Sequence, residues 1–203
     1  MARNWRGAMN CRQYLAVAYP QLSTLLQKVP TLELLKPQPT PIPEAVSRVV
    51  VGQMLSRTAA DKIYDRLVGR QISCGHEGVW QLPESELLGC GLSRRKVRTI
   101  REFAAYYDSN PYKVEAWRAL DYQELSAAVS EHWGLSRWSA DMLAIFYFAM
   151  PDVFPESDGS ILRVCQILES CYSMEPIDPE LARPFRSMLA RYMWALLDCG
   201  ELS

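Results

Sequence analysis

EHWGLSRWSADMLAIFYFAMPDVFPESD, residues 131–158, sets a glycine turn, an apolar helix and a loop ending in Asp158 in immediate succession. Gly134 lacks a Cβ, so it can turn the chain through positive φ and let another group approach closely. The N–H groups that follow, from Ser136 to Trp138, fall at the start of the next helix. There, orphan donors and the helix dipole favour an anion. A helix, a short glycine turn and a second helix over 122–149 form a helix-hairpin-helix, which grips phosphates and positions a protein without reading bases. Each half also has a plainer reading: the glycine as a simple connector, and Asp158 as the N-cap of a helix starting near Ser160.

Working outward, apolar residues recur at helical spacing and no run alternates as a strand would, which predicts an all-α chain. Residues 11–28 keep a helical pattern through Pro20. Helices are expected over 44–55, 58–68, 94–107 with Ser93 as N-cap, 122–132 with Asp121 as N-cap, 138–149, 160–171 and 179–198. Pro83 opens a shorter one. Lys36–Glu44, KPQPTPIPE, carries four prolines and reads as a stiff connector. The expected organisation is a single compact two-lobed unit, with 1–43 plus 159–203 in one lobe and 44–158, bearing the hairpin, in the other.

The 203 residues are 49% hydrophobic and 22% charged, as in an ordinary globular chain. The longest apolar stretch, Met142 to Met150, is too short for a membrane span. The N-terminal residues lack an apolar signal core, so a cytoplasmic protein is expected, nucleoid-associated if bacterial. Six cysteines without a C-x-x-C pair, and only His76 and His132, argue against a zinc site. A net charge of −1 excludes a bulk polycation that coats nucleic acid. The charge is nevertheless uneven. Residues 1–30 hold Arg3, Arg6, Arg12 and Lys28 with no acid, and 94–101 hold Arg94, Arg95, Lys96, Arg98 and Arg101 with none. From Asp152 onward there are nine acids against four arginines. Either basic run is also compatible with a solvated helix face.

WGLSRWSADMLAIFYFAMPDVFPESD resembles the helix-hairpin-helix (HhH-GPD) DNA glycosylases, in particular the 3-methyladenine DNA glycosylase II branch. That family's hairpin reads about G-hydrophobic-G-x-W-T-A, followed by a helix and D-V-F-x-x-D-D. Gly134, Leu135, Ser136, Arg137, Trp138, Ser139 and Ala140 match it here, then Asp152, Val153, Phe154 and Asp158. Three further segments keep the same order. VVVGQMLSRTAADKI (49–63) is similar to I-x-G-Q-x-x-S, and LLGCGLSRRKVRTIREFA (87–104) to L-x-x-x-G-L-S-x-x-K-x-x-x-I. RPFRSMLARYMWALLD (183–198) is similar to P-[YFW]-R-S…W.

The resemblance implies a monofunctional DNA glycosylase. Such an enzyme flips a damaged or modified base, with alkylated purines first, hydrolyses its N-glycosidic bond and leaves an abasic site. Asp158 takes the catalytic aspartate position, where a carboxylate stabilises oxocarbenium character and directs water to C1′. Ser157 replaces the first acid of the pair. Trp138 stands where strand-cutting relatives carry a nucleophilic lysine, so no lyase activity is expected. Trp138, Met142 and Trp194 are expected to line the base pocket, with Met142 in place of a tyrosine. Gln53 and Met54 match the DNA wedge, although Met54 also reads as a core residue. Phosphate contacts are expected from Gly134, Ser136 (in place of the second glycine), Arg137, Ser139, Arg94, Arg95 and Lys96. The backbone carbonyls of Ser130, His132 and Gly134 match a site for a monovalent cation, Na⁺ or K⁺. No iron–sulfur cluster and no other cofactor are implied. The implied partner is double-stranded DNA containing a damaged or modified base, bound by a monomer. Two alternatives remain: a glycosylase for another modified base, and a non-catalytic helix-hairpin-helix DNA-binding protein.

Overall fold

A computed structural model describes residues 10–202, so Arg3 and Arg6 lie outside the described residues. The described residues form α-helices and short 3₁₀ turns, with no strand among them. In chain order the helices are α1 (Cys11–Ala18), α2 (Ser23–Lys28), α3 (Ile42–Gly52), α4 (Arg57–Ser73), α5 (Glu84–Gly89) and α6 (Arg94–Ser109). They continue with α7 (Pro111–Glu115), α8 (Tyr122–Ser130), α9 (Arg137–Phe146), α10 (Gly159–Tyr172) and α11 (Arg186–Asp198). None of these helices is long and apolar enough to cross a membrane.

Several starts are written locally. The Ser93 side chain accepts from Lys96 N–H, and Asp121 accepts from Glu124 N–H while Glu124 reaches back to Asp121 N–H. Each satisfies donors that a helix leaves orphaned at its first turn. Proline overrides the apolar period in two places. The expected helix over 11–28 is interrupted at Pro20, where a 3₁₀ turn (Pro20–Leu22) separates α1 from α2. The expected helix over 179–198 becomes a 3₁₀ turn (Pro179–Ala182) and then α11, because Pro184 cannot donate an N–H and clashes with the preceding turn.

The chain forms two compact units, 1–35 with 149–203 and 36–148. These boundaries differ from the divisions expected after 43 and after 158, and hydrogen bonds accompany the difference. The proline segment belongs to the central unit: Gln38 N–H donates to Tyr147 O at 2.8 Å, and Arg118 donates to Gln38 O and Thr40 O at 2.9 and 2.7 Å. The loop before Asp158 belongs to the other unit. There Ser187 Oγ donates to Met150 O at 2.7 Å and accepts from Val153 N–H at 3.0 Å, while Ser187 N–H donates to Pro151 O at 3.0 Å. Asp158 therefore shares a unit with α1, α2, α10 and α11 and not with the hairpin.

In the terminal unit, Leu15, Leu22, Leu26, Val164, Tyr192 and Leu196 are among the residues closing the core. Full burial of each aliphatic side chain contributes about 1.5–3 kcal/mol relative to exposure. The Tyr192 hydroxyl also accepts from Leu32 N–H at 3.0 Å, and Arg191 donates to Glu33 O at 2.6 Å. In the central unit α3 is buried along Ile42, Ala45, Val46, Val49, Val50 and Val51, and it packs on α4, α6 and α9. A helix apolar on nearly every side belongs at the middle of its unit.

Candidate active site and hairpin

Asp158 is the N-cap of α10 and is only 8% exposed. Its Oδ1 accepts from Ser160 N–H and Ile161 N–H, both at 3.0 Å, and from the Trp194 indole N–H at 2.9 Å. The cap reading therefore holds, and the same geometry does not conflict with the catalytic one. Three N–H donors hold a carboxylate at a helix N-terminus, and hydrogen bonds to an ionised acceptor are roughly twice as strong as neutral ones. The preceding loop is clamped as firmly. Arg186 Nε donates to Asp152 Oδ1 and Arg186 Nη2 to Asp152 O, both at 2.8 Å, and Arg183 pairs with Asp152 Oδ2 at 3.0 Å. The matched Asp152, Arg186 and Ser187 thus fix where the loop enters the cap. Trp194, expected only as a pocket wall, has its N–H directed at the acid. Ser157 is exposed beside it.

In the central unit α8, the turn and α9 build the hairpin. Gly134 has φ +78°, and a Cβ there would lie 2.0 Å from Thr99 Oγ1. Both the backbone conformation and the approach of α6 require glycine. Gln53 Nε2 donates to Gly134 O at 3.0 Å and to Ser139 Oγ at 3.2 Å, and Ser139 Oγ accepts from Ser136 N–H at 3.3 Å. The Gln53 amide, expected beside the DNA wedge, braces the hairpin here. Ser139, expected at a phosphate, is a buried brace here with no exposed surface. Ser136 and Arg137 are exposed, with Arg137 Nε 3.3 Å from the Tyr122 hydroxyl, which donates to the buried Asp141 carboxylate.

The basic run divides. Arg94 and Arg95 are exposed. Lys96 is not a free cation at the surface: its Nζ donates to Val51 O at 2.9 Å, at the C-terminal end of α3 where carbonyls lack helical partners. Burial lowers its pKa.

Met54 has φ +56° and is 100% exposed, which removes the core reading. A non-glycine side chain held in the left-handed region costs about 1–2 kcal/mol. An apolar side chain presented there wholly to solvent has no folding role that would offset this cost. Trp138 is half-buried, and its ring is what a Cβ on Gly52 would meet, at 4.0 Å. Met142, one turn further along α9, is buried. The central unit thus brings together Trp138, Met142 and the Gln53–Met54 turn, while the terminal unit brings together Asp158 and Trp194.

Among the carbonyls expected to hold a monovalent cation, His132 O accepts Leu135 N–H at 3.1 Å and Gly134 O accepts the Gln53 amide at 3.0 Å. Each carbonyl oxygen retains a second lone pair, the kind of donor a monovalent cation takes, and no chemical step is assigned to one. The His132 ring instead packs edge-on against Phe103 and Tyr106, at 5.1 and 4.5 Å between centroids, and burial lowers its pKa.

No family model matches the chain. DNA-3-methyladenine glycosylase 1 of Schizosaccharomyces pombe is 31% identical over 167 residues, 74% of this chain and 70% of the relative. The alkylbase DNA glycosidase-like protein mag2 of the same yeast is 25% identical over 86% of each chain. Among solved structures, S. pombe 3-methyladenine DNA glycosylase (Mag1) in complex with abasic DNA superposes with a TM-score of 0.72 and 25% identity, covering 92% of this chain and 95% of that one. The DNA-3-methyladenine glycosidase of Bacillus halodurans gives 0.65 at 19% identity, a likeness of fold over 90% of this chain and 88% of that one. A helical fold with a glycine-turned hairpin and an acid capping a following helix defines the helix-hairpin-helix glycosylase class. Within it, the chain belongs to the 3-methyladenine DNA glycosylase family.

Proposed function

We infer that this protein is a monofunctional DNA glycosylase that removes alkylated purines from duplex DNA. The observation that carries the reading is Asp158, a carboxylate held by three N–H donors in a chain of this family. Abasic DNA in the Mag1 structure supports DNA as the ligand.

Heterolysis of the C1′–N bond leaves positive charge on the sugar and sends the bonding pair to the base. A purine alkylated on a ring nitrogen already carries a formal positive charge, so it departs neutral and needs no protonation. The Asp158 carboxylate stabilises the oxocarbenium and receives a proton from the water that adds to C1′. The products are a free base and an abasic sugar. Because Asp158 is pre-oriented by the α10 N-terminus and Trp194, little reorganisation is needed as charge develops.

Met54 suits the gap left by an extruded nucleotide, since an exposed apolar side chain offsets part of an unstacking cost of about a few kcal/mol. Trp138 offers a π-face of the kind that attracts a cationic base. Trp138 has no amine to form a Schiff base, which supports hydrolysis without strand cleavage. The exposed turn around Ser136, with Arg94 and Arg137, supplies phosphate contacts. Mass spectrometry of bases released from methylated duplexes tests the reading. Release of N-methylated purines with strands left intact is expected; no release from any alkylated duplex would overturn it.

A further inference from the structure

We propose that Trp133, together with Arg98 and Arg95 of α6, forms a second contact with duplex DNA beside the hairpin turn. Its occupant is the sugar–phosphate backbone, and it rests on the DNA-binding part of the function proposed above. Trp133 precedes Gly134 at the tip of the turn and remains 40% exposed. The Arg98 guanidinium lies over its ring, 4.0 Å from the centroid, and that of Arg95 lies at 5.9 Å. Half-exposed indole and guanidinium groups thus present apolar and cationic surface side by side.

This surface is anchored to the hairpin from below. Thr99 of α6 fills the space beside Gly134, and His132 sits against Phe103 and Tyr106 of the same helix. The turn and α6 therefore present one preorganised face, and a duplex phosphate seated on the turn continues along α6. Charge favours that occupant, because Arg94, Arg95, Arg98 and Arg101 are all exposed along it. Arg98 Nε pairs with Glu102 Oε1 at 2.6 Å. Among the described residues its two Nη groups make no hydrogen bond, and they are the fork that matches a phosphate. The indole supplies an apolar surface for the deoxyribose between two phosphates.

The test measures affinity for an undamaged duplex against salt concentration, with full-length wild type, Arg95→Gln/Arg98→Gln and Trp133→Ala. Each lost phosphate contact lowers the slope of log K against log salt by about 0.9, so the double variant should lose roughly 1.8. Trp133→Ala should weaken binding about threefold or more without changing the slope, since no charge is removed. If Trp133→Ala fails to fold, the double variant, whose altered side chains are exposed, decides alone. Wild-type affinity and slope in the double variant overturn the proposal and leave the catalytic reading intact. Losses seen on single strands but not on duplex overturn it as well. A wild type that binds duplex with the expected variant losses, yet releases no base, upholds this surface and refutes the catalytic reading.

Discussion

Replacing Trp194 with phenylalanine removes one N–H from Asp158 while keeping an aromatic ring in place. In the native site Oδ1 takes three donors, two from the α10 backbone and one from the indole at 2.9 Å. A hydrogen bond to a charged group contributes about 1.5–3 kcal/mol. The carboxylate is 8% exposed, so water can replace the lost donor only in part. If Trp194 acts by orienting the acid, most of that energy appears in the barrier, and each 1.36 kcal/mol is about tenfold in rate. Single-turnover base release should fall about 10- to 150-fold at saturating enzyme, with substrate affinity within about threefold of wild type. Were Trp194 only a wall for the base, affinity would change and the saturated rate would hold. A saturated rate equal to that of wild type would refute the positioning argument.

Gly134→Ala should cost about 2–5 kcal/mol in urea unfolding, combining left-handed strain with overpacking against Thr99. Adding Thr99→Ala should recover part of the overpacking and none of the strain; no loss in the single variant would contradict the close approach. Burial lowers the His132 pKa below its value in the unfolded chain, so the unfolded state binds more protons as pH falls. The stability that His132 contributes is complete above about pH 6.5 and declines below it. His132→Phe should flatten that part of the stability profile, as followed by urea unfolding at pH 5 to 8.

Local features were the most legible in the sequence. The caps at Ser93 and Asp121 depend on residues three positions apart, and the glycine of the turn answers in part to local backbone conformation, with Thr99 of α6 as a second and distant reason. Pro20 and Pro184 were visible, yet the apolar period ran through them, and the missing N–H prevailed over the pattern. The roles of Gln53, Ser139 and Lys96 were hidden because their partners lie far along the chain: Gln53 meets Gly134 and Ser139, and Lys96 meets Val51. A motif places a residue near a site without saying which way its polar atoms face. The unit boundary shows the same limit. Residues 36–43 read as a linker by composition, but Arg118, 80 positions from Gln38, binds them to the central unit. Asp158 was the reverse case: the cap was legible from the helix that follows it, and the proposed catalytic role does not conflict with that cap.

Asp158→Asn is the most direct test of the account. Asparagine is as good an N-cap as aspartate and keeps an acceptor for Ser160 and Ile161, so α10 and the thermal unfolding midpoint should be retained while the charge is lost. Single-turnover release of N-methylated purine from duplex DNA should fall at least about 100-fold. Release at the wild-type rate by a folded Asp158→Asn protein would contradict the assignment of Asp158 as the catalytic carboxylate.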